Sequence, residues 1–89
     1  MEESIVLDRK TITAFVLVKI APVARIIPVY RSLREVDGIV EMHEITGEYD
    51  LIIKIVANDI EQMRSLVNQI RRRKGIHHLE TIISYHAVV

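Results

Sequence analysis

Apolar positions along this chain follow two rhythms. From Ile12 to Ile20 they occupy both alternating faces of a strand, with Ile12, Ala14, Val16 and Val18 on one and Phe15 and Leu17 on the other. A strand with that pattern has both faces covered. Pro22 ends it. Ile26, Val29, Tyr30, Leu33 and Val36 then recur at helical spacing, with Arg25, Arg31, Arg34 and Glu35 between them. Pro28 must sit in the first turn of this helix or kink it, and Asp37-Gly38 closes it. Two stretches rich in β-branched residues follow, Ile39–Ile45 and Leu51–Ala57, and both read as strands. Thr46-Gly47-Glu48-Tyr49-Asp50 joins them as a hairpin connection. Asp59 is a natural N-cap with Gln62 three residues on, a capping-box variant. Met63, Leu66, Val67 and Ile70 form the stripe of a second helix. Arg71-Arg72-Arg73-Lys74 fills its last turn and Gly75 stops it. A last strand runs from Ile76 to about Ala87.

The order is β-α-β-β-α-β. Two right-handed βαβ crossovers sharing a hairpin give a four-stranded antiparallel sheet with both helices on one face, a ferredoxin-like α+β plait. That arrangement leaves the other sheet face open, yet its residues are also apolar. The open face is therefore expected to pack on another subunit's sheet, closing an α/β barrel dimer.

Size and composition strengthen this expectation. The chain has 89 residues, of which 49% are hydrophobic. One domain of this size buries only about 60–65% of its unfolded surface, so self-association is the simplest way to hide the excess. The division expected is an N-terminal arm over 1–10 and one domain over 11–89. Formal net charge is zero, so no global field points to nucleic acid. There is no cysteine, hence no disulfide framework and no thiolate metal site. The start, Met1-Glu2-Glu3-Ser4, lacks the pattern of a signal peptide, and no apolar run reaches the length of a membrane span. No membrane association and a cytoplasmic location are the expectation.

Candidate chemistry is sparse. His77 and His78 are adjacent on a strand and point to opposite faces. His43 and His86 could meet across strands, but ordinary strand histidines explain all four better than a metal. The Arg71–Lys74 run could contact phosphates, and it is also what a helix C-terminus favours. No direct nucleic-acid binding is expected. No Gly-x-Ser-x-Gly, cysteine nucleophile or phosphate loop is present, so no enzyme and no cofactor are expected. The alternative kept open is a small dimeric barrel enzyme of the cofactor-free monooxygenase type, using His or Tyr. The hairpin is the most distinctive stretch. Gly47 can take φ > 0 and lets a partner come close, and Asp50 sets a carboxylate at the head of the next strand. A plain, well-made turn is the competing reading.

Taken together, Phe15-Val16-Leu17-Val18-Lys19, Val36-Asp37-Gly38-Ile39-Val40, Thr46-Gly47-Glu48-Tyr49-Asp50-Leu51, the Arg-Lys-Gly-Ile helix end and Thr81-Ile82-Ile83 resemble one family. It is the effector-binding RAM domain of the leucine-responsive (Lrp/AsnC) regulators, and the resemblance covers about Thr11 to Val89. The Thr-Gly-Glu-Tyr-Asp segment is its most specific element. Full-length members carry a helix-turn-helix domain, for which residues 1–10 are too few. The resemblance thus implies a stand-alone sensing and oligomerisation module, acting alone or on full-length Lrp/AsnC-type regulators. It implies homodimers assembled into rings, commonly of four or five dimers, with an amino acid or related small metabolite between them. The ligand-binding residues it implies are Gly47, Glu48, Tyr49 and Asp50. Backbone N–H groups near Gly47 and Glu48 would hold the carboxylate, Asp50 the ammonium group, and Tyr49 would line the pocket. Thr81 and Ile83 join them by position in the last strand, with plain sheet packing as the other reading.

Overall fold

Ala14, Val16, Val18 and Ile20 alternate with less buried residues, as do Leu51, Ile53, Ile55 and Ala57, and all eight are buried. This period of two places one face of each strand in the core. The computed structural model describes residues 11–89, so the arm expected over 1–10 lies outside the described residues. The elements are β1 (Ile12–Ile20), α1 (Ile26–Arg34), β2 (Ile39–Glu44), β3 (Leu51–Ala57), α2 (Ile60–Arg71) and β4 (Ile76–Ile83). The sheet order is β2-β3-β1-β4, antiparallel throughout. Val16 pairs with Ile53 on one side and Thr81 on the other. This is the β-α-β-β-α-β plait read from the sequence.

Both helices supply the other half of the core. Val29 and Leu33 of α1, Val36 just beyond it, and Met63, Leu66 and Ile70 of α2 are buried against the strands. At the start of α2, Asp59 Oδ1 accepts the Gln62 N–H at 2.8 Å. Gln62 Oε1 accepts the Asn58 N–H at 2.6 Å. The capping box is therefore reciprocal, but its return arm reaches one residue before the cap. Pro28 sits in the first turn of α1, where its missing N–H has no intrahelical partner to lose. Gly38 takes φ +104°, and a Cβ there would stand 2.7 Å from Leu66 Cδ1. Only glycine lets the turn into β2 lie directly on α2.

Two expectations need correction. The basic run does not fill the last turn of α2, because the helix ends at Arg71 with Arg72 as its cap. The chain must turn at once to feed β4, and Arg73 instead reaches α1. Its Nη1 donates to Ser32 Oγ at 3.3 Å and meets Glu35 Oε1 at 3.2 Å. The last strand ends at Ile83, not near Ala87. Ile83 pairs with Ala14, and the Ser84 N–H already reaches Thr13 O at 2.8 Å. β1 begins at Ile12, only two positions beyond the Ala14–Ile83 pair.

The open sheet face carries Phe15, Leu17, Ile52 and Val56, all half-buried, and Ile82, 48% exposed. Its β2 margin is polar: Glu41 lies 3.1 Å from His43 Nε2 and 3.8 Å from Lys54 Nζ. The hydrogen bond from His43, and then the Lys54 charge, hold the Glu41 carboxyl below its usual pKa. Among the described residues no helix is long and apolar enough to cross a membrane.

Candidate functional site at the central hairpin

A loop whose ends are tied and whose tip is open can present backbone groups to a ligand. The β2–β3 connection has that form. The Ile45 N–H donates to Asp50 O at 2.9 Å and closes the loop, and the Asp50 N–H donates to Val18 O at 2.8 Å. Asp50 Oδ2 accepts the Ile20 N–H at 2.7 Å. That contact falls where the β1–β4 register shifts, between Lys19 and Ile20. The Ile20 N–H is on the β3 side of β1, past the Val18–Leu51 pair where that ladder ends, and Asp50 takes this unpaired donor. Lys19 Nζ donates to Glu48 O at 2.7 Å. The Tyr49 hydroxyl donates to Glu80 Oε1 at 2.9 Å, and its ring lies over His78, with centroids 6.4 Å apart. The hydrogen bond to Glu80 is the main cause that raises the Tyr49 pKa above its ordinary value. Gly47, by contrast, has φ +110° and nothing within 4 Å of where a Cβ would be. The tip is open and its base is pinned to β1 and β4.

The other two predicted residues lie elsewhere on the protomer. Thr81 and Ile83 share the parity of buried Leu79 and point to the helix side of β4. With Ile60, Met63, Val67 and Arg71 of α2 they line a cleft of about 250 Å³. Glu80, of opposite parity, meets Tyr49. The sequence reading therefore joined two sets that one protomer does not bring together.

Sequence reasoning missed Tyr30 beside the hairpin. Its hydroxyl is buried without a hydrogen-bond partner among the described residues. Burial first, then the nearby Glu44 and Asp50 carboxylates, raise its pKa. The approach to Glu44 stops short of a well-formed hydrogen bond. Tyr30→Phe is expected to leave stability unchanged or raise it by about 1 kcal/mol, because it deletes an unsatisfied group. The folded chain holds the Tyr30 proton more tightly than the unfolded chain does. That contribution is present below the ordinary tyrosine pKa and is lost as pH rises through the folded-state value. Denaturation midpoints measured from neutral to strongly alkaline pH should fall less for Tyr30→Phe than for the parent.

The histidines do not form one site. β2 and β4 are opposite edges of the sheet, so His43 cannot meet His86, which follows β4. Among the described residues no group of three or more potential metal ligands converges.

The model of the Lrp/AsnC ligand binding domain matches residues 13–89. The chain belongs to this family. An uncharacterised HTH-type transcriptional regulator of Pyrococcus abyssi is 29% identical over 79 residues, covering 85% of this chain and 53% of that regulator. The chain thus spans about half the length of that relative. A homocitrate synthase of Saccharolobus islandicus is 35% identical over 48 residues, 54% of this chain and 10% of the synthase. Among solved structures, a protein of Thermus thermophilus is similar with a TM-score of 0.78 and 29% identity, covering 88% of this chain and 98% of that one. A transcriptional regulator of Neisseria meningitidis, solved as a complex with L-Met, has a TM-score of 0.81. At 18% identity, covering 100% of this chain and 57% of that one, it shares the fold. The first of these relatives is described as a transcriptional regulator, and the synthase match of this Lrp/AsnC domain touches a tenth of that enzyme.

Proposed function

We propose that this Lrp/AsnC domain senses a small amino acid or related metabolite at the Thr46–Asp50 hairpin and couples that binding to its own assembly. The observation that carries the reading is the hairpin itself, pinned at its base by Lys19, Ile20 and Glu80 and open at Gly47. Among the described residues the Gly47 and Glu48 backbone N–H groups donate to no acceptor, so they are free to hold a carboxylate. Asp50 spends one oxygen on Ile20 and keeps the other for an ammonium group. Tyr49 offers an apolar wall whose position Glu80 and His78 hold. The Neisseria relative solved with L-Met makes an α-amino acid the natural first class to test.

Assembly completes the proposal. The half-buried Phe15, Leu17, Ile52 and Val56 are to be covered by a second copy's sheet, and such dimers would meet in a ring of four or five around the hairpins. Thr81 and Ile83 would then reach a ligand only across copies. A ligand held between copies stabilises the assembly that makes its site. The module would act on a DNA-binding regulator of the same family or alone, in the cytoplasm.

A thermal-shift screen of the full chain against the twenty amino acids tests the sensing claim. A ligand at a hundred times its dissociation constant adds about 2.7 kcal/mol, a shift of several degrees in a domain this small. At least one amino acid should produce it. No shift from any of them at millimolar concentration would remove the amino-acid class.

A further inference from the structure

β1 carries one charged residue, Lys19. It keeps the parity of Phe15 and Leu17, so its stem leaves the sheet on the open face. Its Nζ then donates to Glu48 O at 2.7 Å. An ammonium has three donors, and this carbonyl takes one. The covalent geometry of one residue puts the Glu48 nitrogen within about 4 Å of its own carbonyl oxygen, and so within about 7 Å of the Lys19 charge. The tie has a mirror. Asp50 Oδ2 accepts the Ile20 N–H at 2.7 Å. Consecutive residues of β1 thus hold Glu48 and Asp50 of the loop, one through a side-chain cation and one through a side-chain anion. Among the described residues Lys19 and Asp50 do not form an ion pair with each other or with any other group.

We infer that Lys19 is a specificity-determining residue of the hairpin, the fixed positive charge that draws a ligand's carboxylate onto the Gly47 and Glu48 N–H groups. The inference rests on the amino-acid reading given above. A cation and an anion held apart on one loop complement a zwitterion. A ligand with only one of its two charges leaves the other side unmet. Backbone N–H groups alone would accept an amide carbonyl as well as a carboxylate, with a modest preference for charge. The Lys19 ammonium adds a field that acts on the carboxylate and hardly on the amide. Lys19 is exposed, so water and salt screen that field, and its effect is about tenfold in affinity rather than more.

The test titrates the full chain with each of the twenty amino acids and, beside each, its C-terminal amide. Thermal shift finds those that bind, and calorimetry gives their affinities. Lys19→Met keeps the stem and removes both charge and donor. Lys19→Gln is the second variant should the first fail to fold, and Lys19→Arg keeps the charge. The parent should bind its amino acid at least tenfold more tightly than the amide. Lys19→Met should lose roughly tenfold for the acid and little for the amide, so that the ratio collapses. Lys19→Arg should restore most of it. A residue that only ties the loop would leave the acid-to-amide ratio unchanged, and that outcome would overturn the inference while the sensing reading stood. A parent that binds the amide as tightly as the acid would do the same. A parent that binds no amino acid would overturn both.

Discussion

Asp50→Asn should weaken binding of an identified amino-acid ligand roughly ten- to a hundred-fold while leaving the fold intact. The asparagine keeps the shape of the side chain and still has an oxygen to accept the Ile20 N–H, now 2.7 Å from Asp50 Oδ2. What it loses is charge. A charge-assisted hydrogen bond to an ammonium group contributes on the order of 1.5–3 kcal/mol, and that is the affinity at stake. Asp50→Ala serves as the contrast. It removes the charge and also strands the part-buried Ile20 donor, so it should lower stability by a further 1–3 kcal/mol, approximately. Calorimetric titration gives affinities, and chemical denaturation gives stabilities. Equal affinity for parent and Asp50→Asn, with both folded, would reduce Asp50 to a tie for the end of β1.

The largest loss of stability is expected from Ile53→Ala. Ile53 is fully buried at the middle of β3, between Val16 on β1 and Met42 on β2. Truncating a buried isoleucine costs about 2–5 kcal/mol, and a central strand flanked on both sides can collapse little around the cavity. Domains of this size have on the order of 5–10 kcal/mol in all. The variant should therefore unfold at a much lower denaturant concentration, compared at the same protein concentration because dimerisation adds its own stabilisation. Ile53→Val should lose only about 0.5–1.5 kcal/mol. A denaturation midpoint for Ile53→Ala within error of the parent would mean that this centre is not the core.

The elements that could be read from the chain are those whose signals are local. β1 and β3 have strong β-branched content bounded by Pro22, Gly47 and Asn58. α2 has its cap at Asp59 and a stripe of regular spacing. The errors arose where a distant partner decides. β4 stops at Ile83, two positions short of the start of β1 at Ile12, a fact about pairing that no local pattern contains. Arg73 leaves the helix line because Ser32 and Glu35 await it on α1, over thirty residues away in sequence. The Asp50 to Ile20 bond follows from where the β1–β3 ladder ends, at Val18 and Leu51, which alternation alone does not mark. Thr81 and Ile83 could have been separated from the hairpin set, since they share parity with Leu79 rather than with Glu80. Tyr30 had no such signal. Its spacing marked it as core, and nothing local tells that its hydroxyl ends near Glu44 and Asp50.

The strand order has a consequence for how the chain is made. β1 and β2 are not neighbours, and neither are β3 and β4. A nascent chain that has left the ribosome only as far as Glu44 holds two strands that cannot pair with each other. No ladder is available until β3 emerges, and β1 stays half-edged until β4 follows at Ile76–Ile83. Long-range closure of this kind is slow relative to local contacts. Until β3 emerges the apolar strands β1 and β2 stand open, so sheet formation is expected to begin only once Leu51–Ala57 is available and to close when β4 joins β1.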